Sequence, residues 1–160
     1  MKAAPKARQT VTLYRAFYKE FEDDPLPSRS AEGRFHDRAT ARATSYLAAS
    51  RETAWTEVIE RWRAARGTYR MAEVEVRLSV IADLTNPATR RRYRVDKESL
   101  TAADYRPCQE LRRRLQAKSV EGIWTYSRAD QPAGRHLVVL LDQLKKGSRV
   151  NVVHVGPINL

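Results

Sequence analysis

Two short segments of the chain join arginine to aromatic rings: Gly33-Arg34-Phe35-His36 and Tyr126-Ser127-Arg128. A guanidinium forms two parallel hydrogen bonds with phosphate, and an aromatic ring stacks on a planar base. The combination suits an anionic, planar ligand. The plainer alternative is a surface arginine beside a core phenylalanine. Metal chemistry is not expected. His36, His136 and His154 are widely separated, and neither H-E-x-x-H nor C-x-x-C occurs. His136 and His154 fall in strand-like patterns and read as structural. The glycines form no Walker or dinucleotide loop, and G-x-S-x-G is absent. Phosphate cradles of those types and serine hydrolases are therefore disfavoured.

The chain has 160 residues, about one domain. Thirty Lys+Arg against nineteen Asp+Glu leave a net charge of +11. That balance fits nucleic acid, an acidic protein or a phosphate-bearing small molecule. With 42% hydrophobic and 31% charged residues the chain is a folded protein rather than a disordered one. Cys108 is the lone cysteine, so it forms no internal disulfide, and it reads as a small buried hydrophobe. Apolar runs such as Leu137 to Leu141 are too short to span a bilayer, and the basic start lacks the apolar stretch of a secretory signal. The expectation is a cytoplasmic protein with no membrane contact.

These residues need elements to position them. Residues 1–9 read as a flexible basic lead-in. Residues 10–17 alternate as a strand, 19–33 as a loop, and 44–48 as a second short strand. Ser50 offers an N-cap for a helix running to about Arg66, with Gly67 as its stop. Ala54, Trp55, Val58, Ile59 and Trp62 would form its buried face. Glu57 and Glu60 lie off that face and read as solvated, while Glu52 in the first turn complements the helix dipole. Residues 71–84 read as one long strand. A short helical piece is expected at 88–93, and a helix at 104–118 with Asp104 as cap and Pro107 in its first turn. Strands are expected at 122–127, 136–141 and 149–155. The whole is an α+β fold: either two packed sheets or a half-open barrel, with helices at the side.

The order of motifs resembles the RES-domain family, toxins of bacterial toxin–antitoxin pairs. The resembling residues are Leu13-Tyr14-Arg15, Gly33-Arg34-Phe35, Tyr46-Leu47-Ala48-Ala49-Ser50, and Glu52-Thr53-Ala54-Trp55-Thr56-Glu57-Val58. Val74-Glu75-Val76, Tyr126-Ser127-Arg128 and the strand from His136 to Leu141 complete the pattern. His36 stands where family members often carry asparagine, and Thr125-Tyr126-Ser127 stands for tyrosine-proline-serine. The resemblance implies an ADP-ribosyltransferase-like single domain, here residues 10–160, that consumes NAD⁺ as co-substrate without a metal.

By the same resemblance Glu57 and Arg34 are the catalytic residues, and Arg34, Tyr46 and Ser127 bind the dinucleotide. Glu57 would hold the ribose and stabilise an oxocarbenium-like transition state, as in glycoside cleavage. Arg34 would pair with the diphosphate. Tyr46 would stack on nicotinamide or ribose, and Ser127 would hydrogen-bond the ribose or hold a neighbour in place. The acceptor would be a host protein, phosphate or water. The implied partner is a helix-turn-helix antitoxin that blocks the active site. The competing readings are a basic nucleic-acid-binding protein or ribonuclease-type toxin, with His36 beside Arg34 as its acid–base candidate, and an interaction module using the basic helix 104–118. On the enzyme reading, direct nucleic-acid binding is not expected.

Overall fold

The alternation read over residues 71–84 makes one strand only as far as Arg77. The computed structural model describes residues 3–63 and 65–160, the side chains of Arg61 and Trp62 excepted. It divides the segment into β3 (Tyr69–Arg77) and β4 (Ile81–Asp83). The cause is Glu121. Its Oε1 accepts the N–H groups of Ser79 and Val80 at 2.8 and 3.0 Å, taking them out of any ladder. Lys145 N–H donates to Oε2 at 2.8 Å. Burial alone would push the Glu121 carboxyl up. Donors from Lys145, Ser148, Ser79 and Val80 outweigh it and hold the group below its usual range.

The remaining strands are β1 (Thr10–Tyr18), β2 (Thr44–Ala48), β5 (Gly122–Tyr126), β6 (Arg135–Leu140) and β7 (Arg149–Gly156). Together they form one sheet in the order β4-β5-β6-β2-β1-β3-β7. β4 runs parallel to β5, and the other pairs are antiparallel. The order demands curvature. Four strands separate β3 from β4, so a flat sheet would hold them about 24 Å apart. The linker Leu78–Val80 spans at most about 14 Å from Arg77 to Ile81. The sheet therefore curls back on itself, and the α+β expectation takes its half-open form.

The curl opens at a seam. β1 and β2 pair only at Tyr14↔Ala48. The helix α1 (Arg51–Trp62) covers the seam, packing Ala54 and Trp55 against Ala16, Ala48 and Met71. Ser50 caps α1 as expected, accepting from Thr53 N–H at 3.1 Å. The helix stops at Trp62, with Arg63 left-handed at φ 48°, short of the expected Arg66 and Gly67. Ile59, expected on the buried face, is exposed. The expected burial of Trp62, Ala64 of the expected helix, and Met1 and Lys2 of the lead-in lie outside the described residues.

The same outer face of the sheet carries α3 (Arg106–Ala117) beside α1, preceded in the chain by α2 (Pro87–Tyr93). Cys108, Leu111 and Leu115 are fully buried against Ile123, Val138 and Leu140. Each such leucine contributes about 1.5–3 kcal/mol on burial. The α3 cap position is Tyr105 rather than Asp104; Asp104 instead accepts the Arg106 N–H at 3.0 Å. β6 is buried on both faces, its Leu137 and Val139 facing inside the curl and Val138 and Leu140 facing α3. Among the described residues no helix is long and apolar enough to cross a membrane.

Candidate functional site

A cleft of about 830 Å³ lies at the β1/β2 seam, within the size range of small-molecule sites. Arg34, Tyr46, Glu57 and Ser127, from four separate parts of the chain, all line it. Tyr14, Arg15, Arg29, Tyr105, Arg128 and His136 join them. Glu52 is exposed and is not part of the lining.

Arg34 sits in a tight turn closed by Gly33 N–H to His36 O at 3.0 Å. Position 33 must be glycine, because a Cβ there would come within 2.3 Å of the His36 ring. α3 secures this turn from behind. Gln109 Nε2 donates to Gly33 O and His36 O at 3.1 and 3.0 Å. The buried Arg112 donates to Phe35 O at 2.8 Å and to Thr44 Oγ1 at 2.6 Å. Phe35 itself is fully buried in the α3 core, so the ring beside the Arg34 guanidinium is not Phe35. It is Tyr105, with 5.2 Å between guanidinium carbon and ring centroid. Arg34 also donates to Ser99 O at 3.5 Å, a long contact.

Tyr46 OH accepts from Phe35 N–H at 3.0 Å and lies 2.8 Å from His36 Nδ1. His36 Nε2 lies 3.0 Å from Ser30 O. A carbonyl only accepts, so Nε2 carries the proton and Nδ1 accepts from the Tyr46 hydroxyl. His36 is 1% exposed and both ring nitrogens are engaged in holding the loop. That leaves it no free nitrogen for the acid–base role of the ribonuclease alternative.

Glu57 lies one turn beyond Thr53 on α1, at the flank of the buried face, where it reaches the cleft. Its Oε1 is 3.0 Å from Nδ1 of His136. Below it on β1 is Arg15, whose guanidinium donates to Pro25 O, Tyr46 O and Pro27 O at 2.9, 3.3 and 3.1 Å. Burial pushes Arg15 down to about 10, and the Glu57 charge works the other way. Arg15 and His136 are site residues to which the sequence reading gives no role in the chemistry. The signal for Arg15 is a charged residue inside an otherwise uncharged strand. His136, read as structural from its strand pattern, lines the cleft and contacts Glu57. His154 is exposed on the edge strand β7.

Ser127 is fully buried at the end of β5, its Oγ accepting from Asp130 N–H at 3.3 Å. Tyr126, one residue earlier, faces the other way. It does not line the cleft, and its ring meets Arg135 at 4.4 Å and Lys97 at 5.1 Å. The expected arginine–aromatic pairing at this segment is therefore absent from the cleft; Arg128 lines it without Tyr126. Cys108 is buried as expected, and burial pushes its thiol up to about 11.

An α+β domain with a curled mixed sheet, and a cleft presenting Glu57 and Glu60 among several arginines and aromatic rings, defines the class. The RES domain family model matches residues 12–159, and the chain belongs to this family. Among solved structures it is similar to a chain in the crystal structure of the M. tuberculosis MbcT–MbcA toxin–antitoxin complex. That match has a TM-score of 0.73 and 22% identity, covering 94% of this chain and 85% of the other. No curated protein matches the chain.

Proposed function

We propose that this protein is the toxin of a toxin–antitoxin pair and that it consumes NAD⁺. The observation that carries the reading is the meeting of Arg34, Tyr46, Glu57 and Ser127 in one cleft. Membership of the RES family and the likeness to a chain of a toxin–antitoxin complex support it.

In this reading the bond between nicotinamide nitrogen and ribose C1′ breaks. Its electron pair leaves with nicotinamide, and positive charge develops on the sugar. The Glu57 carboxylate stabilises that charge and holds the ribose hydroxyls. Arg34, backed by Tyr105, grips the diphosphate. The Tyr46 ring rests on the nicotinamide or ribose while its hydroxyl keeps the Arg34 turn in place. Ser127, fully buried, holds Asp130 in place beside the cleft through its Oγ. A host protein side chain, phosphate or water then attacks C1′ and takes up the ADP-ribose. A helix-turn-helix antitoxin covers the cleft, drawn by the +11 charge. The enzyme acts in the cytoplasm.

The test is expression in a bacterial host without antitoxin, following growth and the cellular NAD⁺ pool. Growth should stop as NAD⁺ falls, and Glu57→Gln should prevent both. Arrest with an undiminished NAD⁺ pool would count against NAD⁺ depletion and favour the nucleic-acid reading.

A further inference from the structure

His136 stands in β6, a central strand paired on both sides, opposite Ala48 of β2 and Thr125 of β5. Its side chain is 10% exposed. A carboxylate only accepts, so the contact with Glu57 Oε1 requires the proton on Nδ1. Its Nε2 is buried with no hydrogen-bond partner. A buried nitrogen without a partner costs stability. A hydrocarbon of similar size would suit the position better if packing were its whole purpose.

The rest of the ring's surroundings restrict its movement. Tyr46 meets the imidazole edge-on, with 5.6 Å between centroids and 72° between planes. Tyr46 is itself fixed by Phe35 N–H and His36. A rigid donor therefore meets Glu57, whose side chain is 24% exposed on a helix flank. Arg15 does not replace it, because its guanidinium is engaged by three carbonyl oxygens. Among the described residues His136 is the hydrogen-bond partner that Glu57 Oε1 has, and Oε2 has none.

We infer that His136 is a positioning residue for Glu57: its Nδ1–H fixes one carboxylate oxygen and aims the other at the substrate sugar. The inference rests on the NAD⁺ reading and deepens it. An imidazole N–H suits the task because, when neutral, it orients the carboxylate without cancelling the negative charge that the oxocarbenium-like transition state needs.

The experiment compares wild type with His136→Asn, His136→Gln and His136→Leu, measuring kcat and KM for nicotinamide release, and the thermal midpoint. The amide nitrogen of asparagine takes the place of Nδ1, whereas that of glutamine falls nearer Nε2. His136→Asn should keep kcat within about threefold, while Gln and Leu lose about 10²-fold, the cost of a reacting group misplaced by an ångström. KM should change little, and the Leu variant should melt no lower than wild type. If Leu does not fold, the contrast between Asn and Gln decides. Equal kcat in all folded variants would overturn the inference, as would equal losses in Asn and Gln. Nitrogen NMR of the wild-type ring should show the proton on Nδ1 and a shift in Glu57→Gln; a proton on Nε2 alone would also overturn it. An inactive wild type would instead bring down the NAD⁺ reading, and this inference with it.

Discussion

Thr53 Oγ1 donates to Asp130 Oδ2 at 2.6 Å, across 77 residues of sequence. The bond ties the first turn of the helix that carries Glu57 to the turn that holds Ser127. Ser50 Oγ meets Thr53 Oγ1 at 3.0 Å on one side, and Ser127 Oγ accepts Asp130 N–H on the other. The helix cap and the site therefore share one network.

Breaking that link should disturb both residues at once. Asp130→Ala should cost about 1.5–3 kcal/mol, as expected for a hydrogen bond to a charged group. Thr53→Val should cost less, and the double variant should cost less than the sum of the two by about 1 kcal/mol. Urea unfolding of the four proteins measures the coupling. Strict additivity would show that the bond contributes nothing.

Arg34 is the residue on which the diphosphate reading turns. A bidentate grip needs the planar fork, which an ammonium lacks. Arg34→Lys should therefore weaken NAD⁺ turnover nearly as much as Arg34→Ala, by about tenfold to a hundredfold. Steady-state kinetics of the folded variants at two salt concentrations would check this. A general basic surface would tolerate lysine and show a steep salt dependence shared among many residues.

Glu121 should make the fold sensitive to acid. Its folded pKa lies below the 4.5 of the free group, so the folded state binds fewer protons than the unfolded chain in that range. The stabilisation is complete above about pH 4.5 and is lost as pH falls through the folded value. Glu121→Gln leaves one side of the group unable to accept, and should cost about 1–3 kcal/mol near neutral pH. The difference from wild type should shrink in acid, as read by urea unfolding at several pH values. A constant difference across that range would contradict the role given to the carboxylate.

Much of the fold is legible in local patterns. Ser50 caps its helix, β2 keeps its expected limits, and the apolar stripe of α3 is Cys108, Leu111 and Leu115 as read. What local pattern misses is decided by distant partners. The strand at 71–84 breaks because Glu121, far along the chain, captures the N–H groups of Ser79 and Val80. Phe35 leaves Arg34 because Arg112 and the α3 core draw it inward. Glu57 looks solvated on a wheel because the wheel carries no information about His136 or Arg15. Gly33-Arg34 was legible from its residue types and Tyr46 through the family resemblance, whereas Tyr105 beside Arg34 and the contact of His136 with Glu57 become visible only when the chain is folded.

Nicotinamide release from NAD⁺ by the purified protein tests the central claim most directly. Wild type, Glu57→Gln and Glu52→Gln would be incubated with NAD⁺ alone, with phosphate, and with host lysate. The account predicts release by wild type in at least one condition, a loss of about a hundredfold or more in Glu57→Gln, and near wild-type activity in Glu52→Gln. No release by folded wild-type protein in any condition, or release undiminished by Glu57→Gln, would contradict it.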